Sequence, residues 1–232
     1  MLILFDIDGT LLKTHGAGLR AMSKALSDLH GPHESGTYDL AGIDTSGRLD
    51  SHIWRDLSRK HDLPHDKATH ERFRERYRHH LGEGFAGDSV SEALAGAREL
   101  VERLHPEPEL TLGLLTGNYA TTGRLKVASA GFDPDRFVVN AFADDGPDRR
   151  SLPPVAIDRY RERHGRPVAP ESVLIVGDTP HDVDCAVHNG CACLAVTTGR
   201  HPADELAGAD RIVDSLEAIE DLAAWILSRR AD

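Results

Sequence analysis

Apolar residues fall in short unbroken runs at residues 2–6, 111–116, 137–142, 173–178 and 193–198. Continuous rather than alternating hydrophobicity is the pattern of strands buried on both faces, as in parallel sheets. A sixth short run at 211–213 predicts an edge strand. Between the runs, helical periodicity occupies about 90–105, 119–130, 154–164, 182–189 and 215–228. Strand–helix alternation with right-handed crossovers predicts an α/β fold, a doubly wound parallel sheet of Rossmann-like type. Ligands of such sheets bind beyond the carboxyl ends of the strands, and Asp6, Thr116 and Asp178 each end a predicted strand.

Residues 15–86 break this rhythm and read as helices only, at 16–29, 49–60 and 66–81. This predicts an inserted all-helical domain, with residues 1–14 and 87–232 forming the core. Gly-containing stretches flank it, His15-Gly16-Ala17-Gly18 and Gly82-Glu83-Gly84, and are candidate hinges.

Composition narrows the picture only a little. The 232 residues, 40% hydrophobic and 28% charged, suit one sizeable domain with an insertion. No apolar run is long enough to span a membrane, and no basic-then-apolar leader opens the sequence. The net charge of -11 argues against nucleic acid as a partner but allows a phosphorylated small molecule beside a bound cation. Cys185, Cys191 and Cys193 lack metal or redox spacing and read as reduced, buried thiols in a cytoplasmic protein, a monomer or homodimer.

The chemistry concentrates at the first strand. Asp6 and Asp8 would share one face of a regular strand, and two anions there repel unless a cation lies between them. A divalent metal site built from oxygen ligands explains the pair; the bland alternative is a surface Asp-x-Asp-Gly turn. Leu114-Leu115-Thr116-Gly117-Asn118 sets a hydroxyl and a helix start at a strand end, a phosphate-oxygen site. Val176-Gly177-Asp178-Thr179-Pro180-His181-Asp182 places one carboxylate at a strand end and a second in the first turn of a helix.

Phe5-Asp6-Ile7-Asp8-Gly9-Thr10-Leu11-Leu12 resembles motif I of the haloacid dehalogenase superfamily in its phosphatase form, and the other two segments resemble motifs II and IV. The resemblance covers almost the whole chain. The frame around Thr116-Gly117-Asn118 is most similar to the phosphoglycolate-phosphatase-like branch, with the helical insertion as a C1-type cap. It implies a Mg²⁺-dependent phosphatase of small phosphorylated metabolites that works through an aspartyl-phosphate. Asp6 is then the nucleophile and Asp8 the general acid/base, and an acid at 8 disfavours the dehalogenase branch. Thr116 holds the transferring phosphoryl group, with Gly117 and Asn118 as substrate contacts. The metal ligands are Asp6, the backbone carbonyl of Asp8, Asp178 and, through water or as a brace, Asp182. Asp182 is otherwise a first-turn helix acid. Thr10 is a turn-stabilising hydroxyl.

The chain departs from the family at motif III, where a Lys is usual. The region reads Asp145-Gly146-Pro147-Asp148-Arg149-Arg150, and no Lys follows Lys126. Arg149 or Arg150 is the candidate cation, and spacing does not choose between them. Lys126 is a third, although it lies about two turns, roughly 10 Å, along a helix running away from the site. Arg48, in a loop resembling the cap's substrate loop, is a candidate contact to a substrate anion. His61, His65, His70, His79 and His80 read as scattered solvated residues, and Arg72, Arg74, Arg76 and Arg78 as an ion-paired helix face. Two rival functions remain: a phosphosugar mutase of the β-phosphoglucomutase type, and a non-catalytic phospho-ligand binding protein, which the missing Lys alone supports. A receiver domain is excluded by the insertion.

Overall fold

A computed structural model of the chain describes residues 1–87 and 91–229. Its strands are β1 (Leu2–Phe5), β2 (Leu12–Lys13), β3 (Glu92–Ala93), β4 (Thr111–Leu114), β5 (Val173–Gly177), β6 (Ala192–Val196) and β7 (Arg211–Val213). Five make one sheet in the order β4-β1-β5-β6-β7, every neighbouring pair parallel. The helices are α1 (Ala17–His30), α2 (Asp50–Lys60), α3 (Lys67–Ala86), α4 (Ala97–Leu104), α5 (Ala120–Ser129), α6 (Leu152–His164), α7 (Pro180–Asn189) and α8 (Ile219–Ser228).

Strand side chains alternate between two apolar layers. Leu2, Leu4, Val173, Ile175, Cys193 and Ala195 face the layer that includes α6 and α7. Ile3, Phe5, Leu112, Leu114, Leu174, Val176 and Leu194 face α4, α5 and α8. Both faces are therefore covered, which is why the runs carry no polar alternation. All three thiols are buried, and burial pushes that of Cys191 up to about 11.

Counted within the main sheet, the strand order is the second, first, third, fourth and fifth in the chain. The chain reverses direction across the sheet at β1 and β5, and the crevice outside such a reversal is where doubly wound sheets bind ligands. Asp6 and Asp178 directly follow those two strands.

Three expectations need correction. Residues 137–142 do not form a strand: Val138 and Ala141 donate to Leu112 and Leu114, but the Asn140 side chain takes the Leu114 N–H at 2.9 Å and breaks the ladder. Gly82-Glu83-Gly84 is no hinge, because α3 continues through it to Ala86. The helix read from residue 90 begins at Ala97 behind the short β3, which pairs with β2; Val90 itself lies outside the described residues. The opposite flank does turn, with His15 and Gly16 in the left-handed region at φ 49° and 80°.

The helices α1–α3 pack on one another through Met22, Leu26, Trp54, Leu57, Phe73 and Tyr77. Two groups read as solvated instead tie this segment to the sheet domain. The His70 ring stacks on Trp54 at 4.2 Å and its Nε2 lies 2.7 Å from Tyr119 Oη. Arg74 covers the Tyr119 ring at 4.7 Å and pairs with Asp144.

Candidate active site

A cavity of about 370 Å³ opens at the carboxyl ends of β1, β4 and β5, between the sheet and α1–α3. Asp6, Asp8, Thr116, Asn118, Lys126, Arg149 and Asp178 all line it. Asp6 is buried on leaving β1, where its N–H still donates to Val176 in β5. The next residues turn sharply through Gly9 (φ 90°), which lies so close to Asp178 that a Cβ would collide with its carboxylate. Thr10 is fully buried, and its hydroxyl donates to Asp178 at 3.0 Å, so it supports the acid of another strand as well as its own turn.

Two buried cations reach the acids of motif I. Arg149 is buried, with Nη2 3.0 Å from Asp6 Oδ1 and also on Asp182 Oδ1, while Nη1 donates to the Gly47 carbonyl at 3.0 Å. Burial alone would lower its guanidinium, but Asp182 and Asp6 hold it above the ordinary arginine range. Lys126 is equally buried, donating to Asp8 Oδ2 at 2.6 Å and Asn118 Oδ1 at 2.5 Å. Burial opposes its charge, but Asp8 and Asp50 keep the ammonium above the usual lysine range. The expectation that α5 carries Lys126 away from the site is wrong. Helix side chains lean back toward the N-terminus, and here that end faces the cavity.

Arg150 is not brought to the site. Its side chain is half exposed and forks onto Asp184 at 2.7 and 2.6 Å. The two arginines open a short helical turn, which sends adjacent side chains to different sides.

Motif II organises rather than merely contacts. Asn118 Nδ2 donates to Asp8 Oδ2 at 2.8 Å and to Thr116 Oγ1 at 2.9 Å. Gly117 is the seat for the helical segment: its carbonyl accepts the Asp50 N–H at 2.6 Å, and a Cβ on it would strike the Arg48 carbonyl. Arg48 borders the cavity, but its guanidinium is held by Asp56 (2.6 Å) and the Asp44 carbonyl (3.0 Å). Asp50, unassigned from sequence, is buried beside it, accepts the Tyr119 N–H at 3.1 Å and is pushed by burial up to about 7.

A family model described as haloacid dehalogenase-like hydrolase matches residues 1–190. The chain belongs to that family. It is 26% identical over 229 residues to a phosphoglycolate phosphatase of Vibrio parahaemolyticus, with 96% of each chain covered. It is 27% identical over 227 residues to one of Vibrio vulnificus, covering 95% of each. Among solved structures, CbbY from Rhodobacter sphaeroides in complex with phosphate superposes at a TM-score of 0.70, with 21% identity and 93% and 94% of the two chains covered. A β-phosphoglucomutase from Clostridium difficile gives 0.69 at 14% identity, over 98% of this chain and 97% of that one. These likenesses establish the fold of a haloacid dehalogenase-like hydrolase, shared by phosphatases and mutases.

The acids of this hydrolase fit a divalent cation. Ligand oxygens of Asp6, Asp178 and Asp182 lie within 4.8 Å of one another, all buried. Burial pushes Asp6 up to about 6 despite Arg149, and burial with the adjoining Asp6 and Asp182 pushes Asp178 up to about 8. Positive charge beyond that of Arg149 would let all three carboxylates ionise together. Gly9 and Gly199 leave the space around Asp178 that any Cβ would fill. Asp182 is the most constrained: Oδ2 accepts the Thr179 N–H (3.0 Å) and hydroxyl (2.7 Å), while Oδ1 accepts from Arg149.

Proposed function

We propose that the protein hydrolyses phosphate monoesters of small metabolites, with Mg²⁺ as the bound cation and residues 15–86 acting as the cap. The observation that carries this reading is the pairing of two carboxylates with separate cations in one buried cavity: Asp6 on Arg149, Asp8 on Lys126. Asp6 attacks phosphorus, the ester P–O bond breaks, and Asp8 gives its proton to the leaving oxygen. Water then attacks the aspartyl-phosphate, Asp8 takes its proton, and the Asp6 carboxylate departs. The sum is ester plus water to alcohol plus inorganic phosphate.

Arg149 offsets the negative charge of Asp6, which would otherwise repel the incoming phosphate. Lys126 and Asn118 fix the orientation of Asp8. The Thr116 hydroxyl already accepts from Asn118, so its own proton is directed to a phosphoryl oxygen. Asp6, Asp178 and the Asp8 carbonyl would hold Mg²⁺, with Asp182 bracing Arg149 and the start of α7; the ion supplies charge stabilisation of the phosphoryl oxygens. Among the described residues no helix is long and apolar enough to cross a membrane, and we assign the protein to the cytoplasm.

The deciding experiment is p-nitrophenyl phosphate hydrolysis with Mg²⁺, with EDTA, and by Asp6→Asn. Turnover that needs the metal and disappears in the variant is expected. Undiminished turnover by Asp6→Asn would overturn the mechanism. Following a hexose bisphosphate separates the mutase alternative, which regenerates it, from the phosphatase, which consumes it.

A further inference from the structure

The protein carries a net charge of -11, yet five cations border its active-site cavity. Three already hold carboxylates: Arg149 holds Asp6 and Asp182, Lys126 holds Asp8, and Arg48 holds Asp56. The other two, Lys13 and Arg200, have no hydrogen bond or ion pair with any described residue. Lys13 borders this cavity alone. Arg200 also borders a second cavity of about 390 Å³, between α1 and residues 37–45. The two cavities meet at Leu19, Thr45 and Arg200.

The backbone that carries Arg200 is fixed on both sides. The Thr198 hydroxyl donates to the Gly9 carbonyl at 2.6 Å, and Gly199 packs directly on Asp178. On the other side, His201 Nε2 lies 3.0 Å from Ser46 Oγ in the helical segment. Several polar groups of the second cavity are already engaged, and its other guanidinium, Arg20, donates to the His15 carbonyl at 2.7 Å. Ser23 pairs with Thr37 at 2.7 Å, Tyr38 donates to the Gly31 carbonyl at 3.1 Å, and Asp39 accepts from Lys60 at 2.6 Å. Among the described residues that line both cavities, Leu19, Thr45 and Arg200, the one charged group is the Arg200 guanidinium.

We propose that Arg200 is a specificity residue that binds a second anionic group, a carboxylate or a phosphate, on the organic part of the substrate. The transferring phosphoryl group is served by Arg149, Lys126 and the metal-binding acids, so a distal anion needs a cation not already neutralised. A guanidinium binds either anion through two parallel hydrogen bonds. The lining the two cavities share points to the direction in which the substrate leaves the phosphoryl site: past Arg200, toward α1. The proposal rests on the phosphatase reading and adds the substrate's class to it.

Three matched pairs test it: 3-phosphoglycerate with glycerol 3-phosphate, 6-phosphogluconate with glucose 6-phosphate, and fructose 1,6-bisphosphate with fructose 6-phosphate. The first two pairs read a carboxylate and the third a phosphate. In at least one pair the charged member should exceed its mate by about tenfold or more in kcat/KM, mostly through KM, as charge-assisted hydrogen bonds imply. Arg200→Gln should cut that preference at least about fivefold, Arg200→Lys should restore part of it, and Lys13→Gln should leave it standing. No preference in any pair, or a preference that survives Arg200→Gln, overturns the proposal. Should the enzyme hydrolyse neither these esters nor p-nitrophenyl phosphate, the phosphatase reading fails separately. Calorimetric titration of the same six compounds then judges the subsite: equal affinities within every pair, or a difference indifferent to Arg200→Gln, overturns it.

Discussion

Side chains at this site act through their partners, and Lys126 shows it most directly. Among the described residues its ammonium is the cation on Asp8, so Lys126→Met leaves the proposed acid/base held by Asn118 alone. We expect kcat on p-nitrophenyl phosphate to fall about 100-fold, the lower range for losing acid–base function, with the fold intact by circular dichroism. The adjacent arginines give a contrast that tests the motif III role. Arg149→Ala removes the only guanidinium on Asp6 among the described residues and should cost about 1,000-fold in kcat/KM, the scale expected for a charge-stabilising group at such centres. Arg150→Ala breaks only an exposed pair with Asp184 and should change kcat/KM less than about twofold. Asp50 ties stability to pH. Its folded carboxyl is pushed by burial from 3.8 to about 7, so the folded state keeps a proton that the unfolded chain releases. Its contribution is fully present below about pH 4 and is lost as pH rises through about 7. Asp50→Asn, which keeps an acceptor for Tyr119, should therefore flatten the fall in melting temperature between pH 4 and 7.

At the scale of elements, the decisive contact is between the start of α2 and the turn before α5. The Asp50 N–H meets the Gly117 carbonyl, and the Arg48 carbonyl lies where a Gly117 Cβ would be. The sheet needs nothing from that Cβ position, whereas the seating of the helical segment does. Gly117→Ala should leave the sheet domain folded, lower kcat/KM at least about tenfold, and increase proteolytic cleavage between residues 31 and 49. A second element, residues 137–142, shows what one side chain does to a ladder. Its apolar content suits a strand, but Asn140 replaces a backbone carbonyl in bonding Leu114 and is itself fastened to the Phe137 carbonyl at 2.8 Å. A hydrophobic pattern records burial, not which atom accepts each hydrogen bond.

For the whole molecule, the carboxylate cluster makes folding and metal binding one equilibrium. Asp6, Asp178 and Asp182 share a buried volume with Arg149 as their single cation among the described residues. A divalent ion bound there stabilises the native state by mass action, about 2.7 kcal/mol at a hundredfold excess over Kd. Differential scanning calorimetry should show a melting temperature that rises with Mg²⁺ and returns with EDTA. Asp178→Asn should abolish the Mg²⁺ dependence, and a variant that keeps it would place the ion elsewhere.

The chain's own pattern determines the layered α/β architecture, because strands covered on both faces must be continuously apolar, and it marks the motif acids, because carboxylates at strand ends have no role in a core. The helical insertion is equally legible from 3.6-residue periodicity without strands between. Tertiary structure alone decides which cation meets which acid. Arg149 and Arg150 are neighbours of the same type, and only the short helical turn that holds them sends one inward and one to solvent. Counting rise along α5 sets Lys126 about 10 Å from the site, a measure that ignores the backward lean and reach of a lysine side chain. The β2–β3 pair is two residues long, too short for any periodicity. Asp50 and Thr10 take their meaning from partners 69 and 168 positions away, in Tyr119 and Asp178, and Arg200 takes its place from the contact of its neighbour His201 with Ser46. Local sequence carries burial and helix phase; long-range pairing of charges is a property of the fold.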